Sequence, residues 1–152
     1  MVEAMWTPQS LRDALGFNVT RLATLFRRHF VRAAARWDLT PEQWQILVTL
    51  VEADGKPLSQ NDIAHVTLKD KHALSRTLDR MQRDGWITRR PDASDARAYR
   101  IEASARARRE LPEIRRALDA SFEPRFQQLP AADRRQLQKL VLQLIDVFEE
   151  QE

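Results

Sequence analysis

Apolar residues recur along this chain at helical period in six stretches, and one stretch between the fourth and fifth changes to a strand-like pattern. In the first, Leu11, Leu15, Val19, Leu22, Phe26, Phe30, Ala34 and Trp37 form a stripe that predicts a helix of about 30 residues. Thr7-Pro8 would open it, and Gly16 would bend it or mark its real start. In the second, Thr40, Pro41 and Gln43 make a capping-box start. Trp44, Ile46, Leu47, Val48, Leu50 and Val51 then leave almost no polar face, as expected of a helix at the centre of a unit. Asp54-Gly55-Lys56-Pro57 ends it. Ser59 and Asp62 have the spacing of a cap, predicting a short helix over Ser59–Val66 with Ile63 and Ala64 inward. After Thr67-Leu68-Lys69, Asp70 can cap a fourth helix with Leu74, Leu78 and Met81 on one side and Lys71, His72, Ser75, Arg76 and Asp79 on the other.

A short helix, a link of about three residues and a helix with one buried and one hydrogen-bonding face is the helix-turn-helix pattern. Gly85 falls where the second of these helices should stop, in the left-handed backbone that closes a last turn. Trp86–Arg90 and Ala98–Ile101 then read as two short strands around Pro91–Arg97, a turn-rich segment with basic edges. Such a hairpin is a wing. A helix-turn-helix followed directly by a wing is a winged helix, which most often binds DNA.

Two more helical stretches follow. Ala107, Leu111, Ile114, Leu118, Phe122, Phe126 and Leu129 line one, with Pro112 and Pro124 inside it; each proline removes one backbone hydrogen bond, so a kinked or interrupted helix is expected. After Pro130, Leu137, Leu140, Val141, Leu144, Ile145, Val147 and Phe148 give more apolar surface than a terminal helix needs for itself. Each such side chain left in water forgoes about 1.5–3 kcal/mol, which predicts a second subunit on the first and last helices. The fold class is therefore mainly α with a small β-hairpin, divided into an N-terminal dimerisation helix (1–38), a winged helix-turn-helix lobe (39–103) and C-terminal dimerisation helices (104–152).

Composition narrows the chemistry. The chain has 152 residues, no cysteine and a net charge of +3. Without cysteine there is no disulfide, thiolate metal site or thiol redox switch. Residues 59–100 carry nine Lys/Arg against six acids, and residues 21–36 carry five arginines and no acid. Positive charge on the candidate DNA face suits release of counterions from phosphate; on the first helix it also fits a solvated face. No secretory leader and no apolar run of the roughly 18 residues that span a bilayer is present, so a cytoplasmic protein without membrane contact is expected. His29, His65 and His72 lie in three different helices without a partner at ligand spacing, so no metal and no cofactor is expected. The nucleophile elbow, the phosphate-binding glycine loop and the zinc-protease motif are all missing, which argues against an enzyme.

The runs LTPEQWQILVTL, DKHALSRTLDRMQRDGWITRR and DASDARAYRI together resemble the multiple-antibiotic-resistance regulator (MarR) family, from about Gly16 to the C-terminus. The Asp95-x-Arg97 of the wing is the most specific element of the likeness. Ala103-Ser104 stands where the family has Leu-Thr, and Ala107 where it has glycine; Ser104 keeps the capping hydroxyl. The resemblance implies a dimeric regulator released from DNA by a small aromatic or phenolic ligand. It places Arg97 in a minor groove with Asp95 bracing it, and a ligand cleft near His29, Trp37 and Trp44, residues whose own pattern favours core packing.

On the fourth helix, Arg76 would pair with guanine N7 and O6 and His72 or Ser75 with base edges, while Lys69 and Lys71 bind phosphate. The plainer alternative is a solvated helix face. Asp95 and Arg97 could likewise be a surface ion pair, and Arg89 and Arg90 would serve the phosphate backbone or nothing. The expected function is a homodimeric repressor on a pseudo-palindromic double-stranded operator, with a small aromatic effector. The alternative is a winged-helix dimer acting as a protein-interaction module without DNA binding.

Overall fold

The computed structural model describes residues 13–150. Its elements, in order, are α1 (Leu15–Ala33), α2 (Pro41–Glu52), β1 (Leu58–Ser59), α3 (Gln60–Thr67), α4 (Lys71–Arg83), β2 (Ile87–Pro91), β3 (Tyr99–Ala103), α5 (Ala105–Phe126) and α6 (Ala131–Glu149). Thr7-Pro8 and Leu11 lie outside the described residues. The remainder of the predicted first helix is shorter than its stripe suggests. Ala34 leaves helical geometry after Ala33, a 3-10 turn carries Ala35–Trp37, and Asp38 takes left-handed backbone with φ 51°.

Local signals set the ends of the central helices. Thr40 and Gln43 bond each other's backbone N–H at the start of α2, at 3.3 and 3.0 Å. Ser59 and Asp62 do the same for α3, at 3.1 and 2.8 Å. Each reciprocal pair satisfies two of the N–H groups that a helix start leaves open. Asp70 accepts from the N–H groups of His72 and Ala73 at 2.9 and 2.8 Å and so starts α4. At the other end of α4, the Gly85 N–H bonds the Gln82 carbonyl and the Trp86 N–H bonds that of Met81, with Gly85 at φ 78°. That is a Schellman closure, and it needs the left-handed residue.

The strands form an antiparallel sheet in the order β1-β3-β2, with Leu58 and Arg89 both opposite Ile101. The hairpin expected from the sequence is thus one side of a three-stranded sheet, because β3 also pairs with Leu58 and with Ser59, the α3 cap. Ile46 and Leu47 of α2, Ile63 of α3, Leu74, Leu78 and Met81 of α4, Ile101 of β3 and Ile114 of α5 are fully buried. The core of the lobe is therefore built on the predicted stripes. Burial of a side chain of this size contributes about 1.5–3 kcal/mol.

The chain divides into two compact units between Arg115 and Arg116. In the second unit, Phe122 and Phe126 stack with ring centroids 6.3 Å apart, and Arg134 approaches Glu123 at 3.7 Å. No residue of α6 is buried, and its leucines, Val141, Ile145, Val147 and Phe148 are all exposed. On α1, Leu15, Val19, Leu22, Leu25, Phe26 and Val31 are likewise exposed.

Of the kink or interruption expected at the prolines, the interruption is not seen: α5 runs through both Pro112 and Pro124 as one helix of 22 residues. Ala107, Leu111, Ile114 and Leu118 are buried on both sides of Pro112, so packing holds the helical path although an amide donor is missing. Pro112 is exposed and helical, so Pro112→Ala restores a donor for the Arg108 carbonyl. It is expected to raise the thermal midpoint, by at most about 3 kcal/mol of stability; a lower midpoint would mean that the proline is required.

Candidate nucleic-acid interface

Turning the buried stripe of α4 inward leaves Lys71, His72, Arg76 and Asp79 exposed and Ser75 half-buried on the opposite side. Lys69 stands half-buried just before the cap. A cleft of about 340 Å³ between the start of α2 and α4 brings Lys69 and Arg76 together with Thr40 and Glu42. A second, more open depression lies along Arg76, Asp79, Gln82 and Arg83. Arg83 was not singled out from the sequence. It stands seven residues after Arg76, two helical turns along the same side, and that spacing could have found it.

The ion pairs sort the basic residues into two groups. Arg89 is bound to Asp79 at 2.5 Å and to Gln82 at 3.3 Å, with only 15% of its side chain exposed. It joins β2 to α4, which corrects the expectation that it serves a phosphate or nothing. Arg90 and Arg100 face each other across the β2–β3 ladder, where like charges repel. Each is answered by an acid: Arg90 by Glu102 at 2.8 Å, and Arg100 by Asp92. Arg90 is accordingly held within the wing. Arg80 bonds Asp38 at 2.8 Å. Among the described residues, Lys69, Lys71, Arg76, Arg83 and Arg97 form no ion pair with an acid of the chain.

The wing tip is folded by its own aspartates. Asp92 accepts from the hydroxyl and N–H of Ser94 at 2.6 and 2.8 Å, and its N–H bonds the Ala98 carbonyl. The Ser94 hydroxyl first, then its N–H and Arg100, hold the Asp92 carboxyl far below the ordinary carboxylate range. Asp95 accepts from the Arg97 backbone N–H at 2.9 Å. The surface ion pair considered for Asp95 and Arg97 is not formed: Asp95 fixes the backbone of Arg97, and the guanidinium is left exposed at the tip.

The base of the wing is fastened to α5. Ser104 donates its hydroxyl to the Gly85 carbonyl at 2.7 Å and accepts from the Ala107 N–H at 3.1 Å, the cap expected of it. Arg106 donates to the Asp84 carbonyl at 2.6 Å, and its guanidinium stands 4.0 Å from the Trp86 ring centroid. The bonds to the Gly85 and Asp84 carbonyls were not foreseen from the sequence, because they depend on the turn at Gly85.

His29 and Trp44 are half-buried and Trp37 is buried, with the Arg36 guanidinium 5.4 Å from its ring. The two clefts above and a third beside Pro57 and the wing are lined by other residues. Among the described residues, no group of three or more His, Cys, Asp or Glu is placed to hold a metal ion, and no helix is long and apolar enough to cross a membrane.

A two-helix unit with a capped, outward-facing second helix, backed by a three-stranded sheet whose last hairpin projects, defines the winged-helix class. Residues 37–98 match the model of the MarR family. A candidate transcriptional regulator from Pseudomonas aeruginosa is 26% identical, with a TM-score of 0.80 over 89% of this chain and 99% of its own. The transcriptional repressor CouR, bound to a 23-mer DNA duplex, is 22% identical with a TM-score of 0.79, over 94% and 99% of the two chains. A mutant MarR from E. coli complexed with operator DNA is 20% identical, covering 86% and 92%, with a TM-score of 0.78. At those identities the last two establish the fold. The stretch that matches the MarR family model, residues 37–98, is the winged lobe with its recognition helix and most of its wing.

One consequence concerns acid. The N–H of Ala73, and with it that of His72, holds the Asp70 carboxyl below its ordinary value near 3.8. A depressed folded value contributes stability that is present above the unfolded pKa and lost as pH falls through the folded one. Asp70→Ala is expected to lower the thermal midpoint at pH 7, with the gap to the parent closing as pH drops below about 4. A gap that is unchanged at low pH would show that the carboxylate is not the stabilising group.

Proposed function

We propose that the protein is a cytoplasmic, homodimeric transcriptional repressor that binds a pseudo-palindromic double-stranded operator. The observation that carries this reading is the division of the basic residues: the arginines that shape the lobe are paired internally, while Lys69, Lys71, Arg76 and Arg97 are left for an anion outside the chain. On the duplex, Arg76 takes guanine N7 and O6 in the major groove, with His72 and Ser75 at neighbouring base edges. Lys69 and Lys71 bind phosphate. Arg97, with its backbone set by Asp95, enters the adjacent minor groove.

The exposed apolar residues of α1 and α6 support a second copy of the chain, with helices from residues 1–38 and 104–152 forming the interface. Two copies present two α4 helices about one helical turn of DNA apart. A small aromatic effector held near His29, Trp37 and Trp44 changes that spacing and shifts the population toward a form that no longer fits the operator. The DNA-bound state of the similar CouR and MarR structures supports the same reading. No cofactor, metal or membrane takes part, and the protein catalyses no reaction.

Fragments selected from genomic DNA supply the operator for a salt titration. Arg76→Ala and Arg97→Ala are expected to weaken binding, each by about 1–3 kcal/mol, and removing the Lys71 charge is expected to flatten the slope of log affinity against log salt by about one unit. A parent protein whose affinity does not respond to salt would favour a protein-interaction module instead. A phenolic acid that releases the complex supports the effector step, and no response across a panel of such acids removes it.

A further inference from the structure

Between Leu39 and Ala103 the lobe buries or half-buries its large apolar side chains with three exceptions: Val66 (45% exposed), Leu68 (67%) and Tyr99 (51%). Val66 is in the last turn of α3, Leu68 is on the link that leads into α4, and Tyr99 is on the wing. Leu68 is also the C-cap of α3, in left-handed backbone with φ 52° and ψ 31°. Glycine or asparagine is at ease there, whereas a branched side chain meets its own backbone. Asp38 and Asp54 are the other non-glycine residues with positive φ among those described, and aspartate tolerates it. Leu68 is thus unfavourable twice, in backbone and in exposure. The turn around it is firmly held: the Gln45 amide caps the Val66 carbonyl at 3.1 Å, and the Thr67 hydroxyl bonds the Ile63 carbonyl at 2.8 Å.

A helix of this class enters the major groove by its N-terminal end. Leu68 precedes the Asp70 cap by two residues, at the lip of that groove, with the half-buried Lys69 between them. Base edges offer one apolar group there, the C5-methyl of thymine. We infer that Leu68 is a specificity residue that covers a thymine methyl in each half-site, with Val66 extending the apolar contact. This rests on the reading of α4 as the DNA-binding helix, and it adds a preference for thymine beside the bases reached by His72, Ser75 and Arg76.

Uracil is thymine without that methyl, so the test is a set of operator duplexes with single T→U replacements, measured with the parent protein, Leu68→Asn and Leu68→Met. Burial of one methyl group corresponds to about a fourfold change in affinity. The parent is expected to lose about that factor at one position per half-site. Leu68→Asn should bind the thymine operator correspondingly less tightly and ignore the replacement, while its thermal midpoint stays level or rises, since asparagine relieves the backbone. Leu68→Met should keep the discrimination. A parent indifferent to every replacement, or a Leu68→Asn protein that still discriminates, would overturn the inference while leaving DNA binding intact. A parent that binds no operator would sink the broader reading as well.

Discussion

The last turn of α4 is the joint on which the lobe depends. Every carbonyl from Met81 to Trp86 with an assigned partner outside the helix ladder is held by a residue of the turn or of the α5 start: Met81 by Trp86, Gln82 by Gly85, Asp84 by Arg106, Gly85 by the Ser104 hydroxyl and Trp86 by the Ser104 N–H. Helix ends leave about four carbonyls without an internal partner, and each left buried and unmet costs about 1–3 kcal/mol. Meeting them with residues of two other elements fixes the direction in which α4 leaves the core. Gly85 makes this possible, because only its left-handed backbone turns the chain sharply enough for Trp86 to reach back to Met81.

From that joint follows the distribution of charge. With α4 fixed, Asp79 comes within reach of Arg89 on β2, which ties the wing to the helix that it flanks. Inside the wing, the facing pair Arg90 and Arg100 is balanced by Glu102 and Asp92. Among the described residues, Lys69, Lys71, Arg76 and Arg83 along α4 and Arg97 at the wing tip are left without such a partner. A net charge of +3 understates how strongly such a surface attracts phosphate, since Glu42, Asp79, Asp84, Asp92 and Glu102 are each matched to a particular arginine.

Features set by nearby residues were readable in the sequence. The caps at Thr40, Ser59 and Asp70, the glycine closure at position 85 and the stripe of Leu74, Leu78 and Met81 each involve residues within a few positions of one another, where spacing and geometry correspond directly. Features that depend on distant residues were not. β1 is two residues long and exists through its pairing with β3, so no periodicity announces it. The bonds of Arg89 to Asp79 and of Arg106 to Asp84 cross a turn whose path spacing cannot supply. The prolines of α5 misled in the opposite direction: local propensity allowed a break as well as a kink, and with buried positions on either side of Pro112 the helix is not broken. At the wing, Asp95 and Arg97 were picked out together, yet their contact runs through the Arg97 backbone, because a turn shaped by an aspartate side chain takes the N–H two residues on.

Two lobes, each with α4 in a major groove and Arg97 in the neighbouring minor groove, would mark a duplex in a way that methylation by dimethyl sulfate reads in one experiment. The reagent modifies guanine N7 in the major groove and adenine N3 in the minor groove. Two patches of guanine protection centred about one helical turn apart are expected, each with protected adenines alongside that become reactive again in Arg97→Ala while the guanines stay protected. A single patch, protection confined to the minor groove, or adenines that remain protected without Arg97 would contradict a two-fold lobe that reads DNA with α4 and its wing.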